Sequence, residues 1–300
     1  MFGLLNIHKP AGLTSRDVVN RVQRIVKPHK AGHAGTLDPQ ATGVLVVCIG
    51  QATRLIEYVQ RMPKRYVGTF LFGRQSDTED VEGNVVELVN PPQPRVEEIQ
   101  AALPKFTGEI MQVPPAFSAL KVKGQRSYQL ARKGEALEHA ARPVMIHSIE
   151  IDRYEYPELV VEIRCGSGTY VRSLGRDIAG TLGTAAVMSA LVRQEIGLFR
   201  LEGALDYSAI SAETIERNLR PAIEAVADLP RIQLSDQEVQ ELAMGRQIAN
   251  RFGVGGDEIA AIDQQGQLSA LLKATVEETL RTVRFFPHGD GGALRLDAPV

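Results

Sequence analysis

AGHAGTLDPQATGVLVVCIG, residues 31–50, is the stretch on which the reading of this chain turns. Its first half is a loop. Gly32, Gly35 and Gly43 let a backbone pass close to a bulky neighbour. Asp38 before Pro39 is a common turn initiator, because its carboxylate can cap nearby backbone N–H groups. The second half, GVLVVCIG (43–50), is too short for a helix and rich in Val, which predicts a buried strand. A carboxylate on a loop backed by a rigid strand has two readings: a turn residue, or the one acid on which a reaction depends. Local rules alone favour the turn.

The flanking segments predict the fold class. TSRDVVNRVQRIV (14–26) reads as a helix with Ser15 as N-cap, one stripe of Val18, Val19, Val22, Ile25 and Val26, and Pro28 at its end. RLIEYVQRM (54–62) and RVEEIQAALPKF (95–106) have helical spacing, with Pro104 breaking the second near its end. RYVGTFLFG (65–73) predicts a strand, and NVVELVN (84–90) another after the acidic turn DTEDVEG (77–83). RPVMIHSIEIDRYEY (142–156) and ELVVEIRCGSG (158–168) read as two long strands, and TYVRSLGRDIAGTLG (169–183) as a helix with Val171, Leu174 and Ile178 inward. Strands and helices mix without a strict βαβ alternation, so the expected class is α+β with a mixed, mainly antiparallel sheet and flanking helices.

The composition shifts after Pro230. Ser235 and Glu238 form a capping box, followed by the short strand-like pieces EIAAID (258–263), LSALLKAT (268–275) and TVRFF (282–286). The expected division is a domain over 1–230, a small mostly-β domain over 231–290, and a loose tail over 291–300.

The net charge of -2 hides an asymmetry. Residues 1–66 carry ten Lys or Arg and three acids, which makes that segment +7 and the remainder -9. A second basic patch holds Lys121, Lys123, Arg126, Arg132 and Lys133. Local positive charge on a near-neutral protein suggests a polyanion bound at one face. Several classes are excluded. Nothing is apolar over the ~18 residues that a membrane span needs, and the N-terminus lacks the pattern of a signal peptide. Two cysteines, Cys48 and Cys165, form no CxxC pair, which favours a reducing, cytoplasmic setting. His29 and His33 are the only close histidines and have no third ligand at metal spacing. Dinucleotide, P-loop and G-x-S-x-G fingerprints are absent, so no cofactor and no metal are expected.

GHAGTLDPQATGVLVV (32–47) resembles the catalytic motif of the TruB family of tRNA pseudouridine synthases, whose usual form is close to G-H-x-G-T-L-D-P-x-A-x-G-x-L. Four further segments, in the family's order, share the resemblance. They are NIHKPAGLTSRDVV (6–19), KRYVGTFLFGRQSDTEDVEG (64–83), VPPAFSALKVKGQRSYQLARKGE (113–135) and CGSGTYVRSLGRDIAGTLG (165–183). Ser76 stands where the family often has Thr, a departure that removes no reactive group. Residues 231–290 resemble the family's PUA-like RNA-binding domain only weakly, chiefly by position and length.

The resemblance implies an enzyme that isomerises uridine to pseudouridine at position 55, in the TΨC loop of tRNA, after flipping the base out. It implies no cofactor and no obligatory protein partner. Asp38 would be the essential carboxylate, acting by covalent attack or through a glycal. Arg172 would pair with it, Tyr66 would stack on the uracil, and Leu191 would line the pocket. His33 would position the everted nucleotide; Lys9 would belong to the RNA-binding and positioning set and, with Pro10, would support the cleft. Residues 112–140 would form an RNA-gripping thumb, with Lys121, Lys123 and Arg126 on phosphates of the T-arm stem-loop. Two alternatives share the motifs in part: a box H/ACA-guided pseudouridine synthase, and a non-catalytic RNA-binding or folding module. The short, acidic-leaning remainder favours the stand-alone enzyme, and the joint presence of Asp38, Tyr66 and Arg172 argues against lost catalysis.

Overall fold

The computed structural model describes residues 1–118, 121–122, 125–126 and 139–287. The first elements are β1 (Gly3–Lys9), α1 (Ser15–Ile25), β2 (Ala31–His33), β3 (Thr42–Ile49), α2 (Ile56–Arg61) and β4 (Lys64–Phe72). A short hairpin of β5 (Arg74–Gln75) and β6 (Val86–Glu87) precedes α3 (Val96–Ala102) and β7 (Gly108–Gln112). The pair β8 (Lys121–Val122) and β9 (Gln125–Arg126) is followed by the long strands β10 (Arg142–Glu155) and β11 (Glu158–Cys165). Then come α4 (Val171–Thr181), β12 (Ala186–Ile196), β13 (Phe199–Arg200), β14 (Leu205–Asp206) and α5 (Ala212–Asn218). The remainder is β15 (Arg231–Gln233), α6 (Asp236–Ala243), β16 (Ile248–Ala249), β17 (Ile259–Ile262), β18 (Leu268–Ala274) and β19 (Thr279–Phe285).

The main sheet runs β14-β1-β3-β12-β4-β11-β10-β7, with β2 added on β3 and β13 on β12. Only β1–β14 and β12–β3 pair in parallel, so the sheet is mixed and mainly antiparallel. The apolar run of residues 43–50 is β3, at the centre of this sheet. Leu45, Val47 and Ile49 pack with α1's Val18, Val19 and Val22 on one face, while Val44, Val46 and Cys48 enter a second cluster on the other. Burial on both faces explains why the strand reads as continuous hydrophobic sequence instead of alternating. On β4 the pattern does alternate, with Tyr66, Phe70 and Phe72 turned into a third cluster beneath α4.

The close seat of α4 on β4 requires a glycine. A Cβ on Gly175 would lie 2.1 Å from the Phe70 ring, far inside contact distance. The N-terminus of α4 is pinned separately. The buried Gln112 side chain accepts from the Tyr170 N–H at 2.8 Å and donates to the Tyr170 carbonyl at 3.0 Å. Helix, strand and β7 are thereby locked into one relation.

A second sheet of order β15-β17-β18-β19-β16 follows residue 230. Ala260, Leu268, Leu271 and Phe286 from this region share a cluster with Leu4, Val44 and Ala225, so it packs directly on the main sheet. The Ser235–Glu238 capping box is present at the start of α6.

Several local expectations are corrected. The N-cap of α1 is Thr14, which makes the capping box with Asp17, and Ser15 turns inward to bond the Asp38 loop. The helix expected over 54–62 begins as a 3₁₀ turn at Gly50–Leu55 and becomes α-helical only over Ile56–Arg61. The strand expected over 84–90 shrinks to Val86–Glu87, paired only with Arg74–Gln75, where its exposed valines have no sheet to cover. Lys121 stands opposite Arg126 across β8–β9. Lys123, most of the expected thumb and the tail at 291–300 lie outside the described residues. Among the described residues, no helix is long and apolar enough to cross a membrane.

Gly175→Ala is expected to destabilise the fold by about 1–3 kcal/mol, the usual cost of forcing extra volume into a packed core. Denaturant unfolding against the parent chain measures it; an unchanged midpoint would refute the close seat of α4.

Candidate active site

Asp38 sits in the loop between β2 and β3, closed by a bond of 3.1 Å from the Ala41 N–H to the Asp38 carbonyl. The turn reading is therefore correct, and the loop is also anchored from below. Lys9, fully buried, donates from Nζ to the carbonyls of Pro10 (2.8 Å), Leu13 (2.6 Å) and Pro39 (2.9 Å). Burial pushes its ammonium down to about 8. The hydroxyl of Ser15 accepts from the Leu37 N–H at 2.8 Å and donates to the Leu37 carbonyl at 3.1 Å. The residues immediately before and after Asp38 are thus tied to the β1–α1 connection.

Arg172, in the first turn of α4, supplies the cation. Its Nε lies 3.1 Å from Asp38 Oδ2. Its Nη1 lies 3.1 Å from Asp80 Oδ2 and donates to the Thr78 carbonyl at 2.8 Å, while Nη2 donates to the Phe117 carbonyl at 3.1 Å. The Arg172 and Asp80 side chains are 7% and 8% exposed, whereas Asp38 is 36% exposed. Arg172 and Asp80 form the inner pair and Asp38 is the outer carboxylate, and both carboxylates border the cleft. Asp80 is held by the Thr78 hydroxyl at 2.6 Å and the Glu82 N–H at 3.0 Å. The acidic turn also docks on α4, where Glu79 accepts from Ser173 at 2.6 Å and from Arg176. It pairs with β12 through reciprocal bonds of 3.0 Å from Val81 N–H to the Met188 carbonyl and from Met188 N–H to the Glu79 carbonyl.

The Asp38 carboxyl is raised above the ordinary aspartate value. Burial of its surroundings is the largest cause, and the Asp80 charge adds to it; Arg172 and Lys9 oppose it. One cation shared by two carboxylates cannot fully compensate both.

The cleft in front of Asp38 is lined by Gln40, Ala41, Val81, Glu82, Met188 and Leu191. A β-bulge at Ser189 in β12 interrupts pairing with β4 at this wall, a common device for re-aiming side chains beside a site. Leu191 is among the residues that line this cleft. Tyr66 is brought to the same cluster as Leu37, Ala41 and Leu191 but is 9% exposed, so its ring offers less open face than stacking on a base implied. Burial raises its phenol. His33 ends β2, opposite Val47, five residues before Asp38. Among the described residues, no group of three His, Cys, Asp or Glu is placed to hold a metal ion.

Two expectations about charge need correction. Lys9 supports the loop from inside, so its ammonium is not available to RNA. The +7 segment is not one patch either. Lys64 is buried on the Gln60 carbonyl, Arg65 binds Glu162 and Glu195, and Arg61 binds Glu258. Arg21 bonds the carbonyls of Ser208 and Ile210. Arg54, also exposed, donates to the Phe285 carbonyl at 2.7 Å. The remaining exposed cations of the segment are Arg16, Arg24, Lys27 and Lys30, on α1 and the turn behind it. Sequence reasoning did not single out Asp80 or Arg193. Asp80 lay inside the quoted acidic turn; Arg193 lies two residues after Leu191, on the same face of a strand, where a charge among apolar neighbours is a signal.

A family model for the TruB family pseudouridylate synthase N-terminal domain matches residues 23–171. A tRNA pseudouridine synthase B of Dehalococcoides mccartyi is 37% identical over 290 residues, 95% of this chain and 97% of the relative. The chain belongs to the TruB family. It is accordingly a pseudouridine synthase, an isomerase. Another TruB relative, the tRNA pseudouridine synthase B of Rhodopirellula baltica, is 40% identical over 82% of this chain and 75% of its own length. Among solved structures, a Cbf5-Nop10-Gar1 complex contains a chain that aligns at TM-score 0.72 and 27% identity, over 95% of this chain and 84% of that one. A chain of an H/ACA RNP bound to a substrate RNA containing 2'-deoxyuridine gives TM-score 0.72 and 25% identity, over 96% and 86%. The TruB fold of this chain is thus the mixed sheet, with the Asp38 loop, the acidic turn and α4 meeting across it.

Asp80→Ala is expected to cost about 3 kcal/mol, because it leaves the buried Arg172 with one exposed carboxylate partner. Thermal and denaturant unfolding test this; a cost under ~1 kcal/mol would mean that Asp38 and the two carbonyls satisfy Arg172 alone.

Proposed function

We propose that this pseudouridine synthase acts on tRNA and converts the uridine at position 55 of the TΨC loop. The observation that carries the reading is the half-buried Asp38 carboxylate held at 3.1 Å by the buried Arg172, at the mouth of a cleft walled by Leu191 and Met188. Full-length similarity to proteins named tRNA pseudouridine synthase B supports the substrate class.

The chemistry breaks the N1–C1′ bond, turns the uracil and joins C5 to C1′. N1 gains a proton and C5 loses one, so atoms and electrons balance without a redox partner. Asp38 acts on the sugar, by attack at C1′ or by forming a glycal, and needs to be ionised in either case. Arg172 keeps it ionised and aimed. Leu191 and Met188 give the base an apolar wall, and the Tyr66 hydroxyl lies behind the same wall. The target is everted, since neither C1′ nor C5 can be reached inside a stacked loop. His33 positions the everted nucleotide. Arg16, Arg24, Lys27 and Lys30, with Lys121, Lys123 and Arg126 of a thumb over about 112–140, meet T-arm phosphates. The division into a catalytic unit over 1–230 and a PUA-like RNA-binding unit over 231–290 belongs to the same proposal.

Tritium release from C5 of uridine in an unmodified tRNA transcript, with no guide RNA added, tests the reaction. The parent chain releases tritium and Asp38→Asn releases none; release by Asp38→Asn would overturn the assignment. The same substitution removes a carboxylate whose folded pKa is raised. Such a group contributes stability that is fully present below its unfolded pKa of about 3.9 and is lost as pH rises through the folded value. Asp38→Asn should therefore hold or raise the melting temperature at pH 7, and a lower one would contradict the raised pKa.

Turnover should fall as pH drops through that raised value, giving an acid limb above the ordinary aspartate range. Arg172→Gln should move the limb further up, because it removes the principal effect lowering the Asp38 pKa. A limb that stays in place would separate the two residues.

RNA binding should weaken steeply with salt, as expected where cations displace counterions from phosphates. Replacing Arg16, Arg24, Lys27 and Lys30 by Gln should flatten the plot of log affinity against log salt by roughly 0.7–0.9 for each cation that had met a phosphate. An unchanged slope would remove α1 from the interface.

A further inference from the structure

Arg193 is a buried cation that the chemistry above does not use. It is 2% exposed and the largest fully buried side chain of the described residues. Its backbone sits where three strands meet: β12 pairs Arg193 with Gly43 of β3 on one side and with Tyr66 of β4 on the other. The approach to β3 is so close that a Cβ on Gly43 would lie 2.2 Å from the Arg193 carbonyl oxygen. From that junction the guanidinium reaches back under the Asp38 loop. Nε donates to the Val44 carbonyl at 2.8 Å, Nη2 to the Gly35 carbonyl at 3.1 Å and Nη1 to the Thr36 carbonyl at 3.4 Å. The first acceptor follows Asp38 in sequence and the other two precede it. The same guanidinium lies close enough to the Tyr66 phenol for its charge to oppose the rise that burial causes.

We propose that Arg193 is a positioning residue for the isomerisation, fixing the Asp38 loop and the Tyr66 hydroxyl in one mutual geometry. The proposal rests on the reading of Asp38 and Tyr66 as active-site groups. Three features single out this role. The acceptors are backbone carbonyls on both arms of the loop, so the fork closes the loop like a clasp. All of the guanidinium's bonds with the described residues run to neutral groups, so it holds geometry without competing with Arg172 for Asp38 or Asp80. The residue also lies two positions from Leu191 on the same strand, so the cleft wall, the loop and the tyrosine share one anchor. Lysine does not reproduce this fork, because its ammonium is a point charge without the planar set of directed donors that meets the carbonyls of Val44, Gly35 and Thr36.

The test compares the parent chain with Arg193→Lys, Arg193→Gln and Arg193→Ala, with Asp38→Asn as the control for the underlying reading. Single-turnover rate, RNA affinity and melting temperature are measured for each. Arg193→Lys should keep the melting temperature and RNA affinity near those of the parent while the rate falls about 100-fold, the scale expected for a reacting group displaced by about 1 Å. Methylguanidinium added to Arg193→Ala should recover part of the rate. The proposal is overturned if Arg193→Lys restores stability and rate together, since that marks a residue needed only for folding. It is equally overturned if Arg193→Gln folds and turns over within threefold of the parent. Activity in Asp38→Asn would instead refute the assignment of Asp38, whatever the Arg193 variants do.

Discussion

The site is organised around one guanidinium shared by two carboxylates. Taking Arg172 out of water costs several kcal/mol unless an anion and further acceptors replace its hydration. Asp80 and the carbonyls of Thr78 and Phe117 supply that replacement permanently, inside the protein. Asp38 is the second, outer carboxylate on a cation already matched. It is therefore oriented without being fully neutralised, and burial lifts its pKa. A carboxylate held in this intermediate condition is fixed in place yet incompletely compensated.

Much of the architecture follows from placing that guanidinium. Arg172 stands in the first turn of α4, so α4 has to lie close on β4, and Gly175 opposite Phe70 permits the approach. The helix start is tied to β7 by Gln112. The acidic turn that carries Asp80 is held between α4 and β12. The other buried cations around the cleft, Lys9 and Arg193, are satisfied by carbonyls. This division of labour matters electrostatically: Lys9 and Arg193 spend their hydrogen bonds on backbone carbonyls, and Arg172 makes the direct ion pairs with Asp38 and Asp80.

Legibility in the sequence was uneven for physical reasons. β3, β4, β10, β11 and α4 follow from apolar period and β-branched content, because each buries a continuous face. The short β6 did not shrink for want of strand-forming residues; its valines simply have no core to cover, a fact of tertiary context. Thr14 took the N-cap of α1 because Ser15 is used inward on Leu37, a partner that no local rule supplies. The basic N-terminal segment read as a patch because charge counts ignore pairing. Arg61, Arg65 and Lys64 are each matched by groups 4 to 197 residues away in the chain.

The sequence by itself determined that the chain is an α+β protein of the TruB family with a carboxylate on a glycine-lined loop. Those properties live in local pattern and in motifs a few residues long. What only the tertiary structure decided is which charges meet. Asp38 and Arg172 are 134 positions apart, and Lys9, Arg172 and Arg193 are all basic residues in the sequence. Burial and partner turn one into a loop anchor, one into the counter-charge of Asp38 and Asp80 and one into a clasp on the loop carbonyls, because the energy of a charge depends on what surrounds it in space.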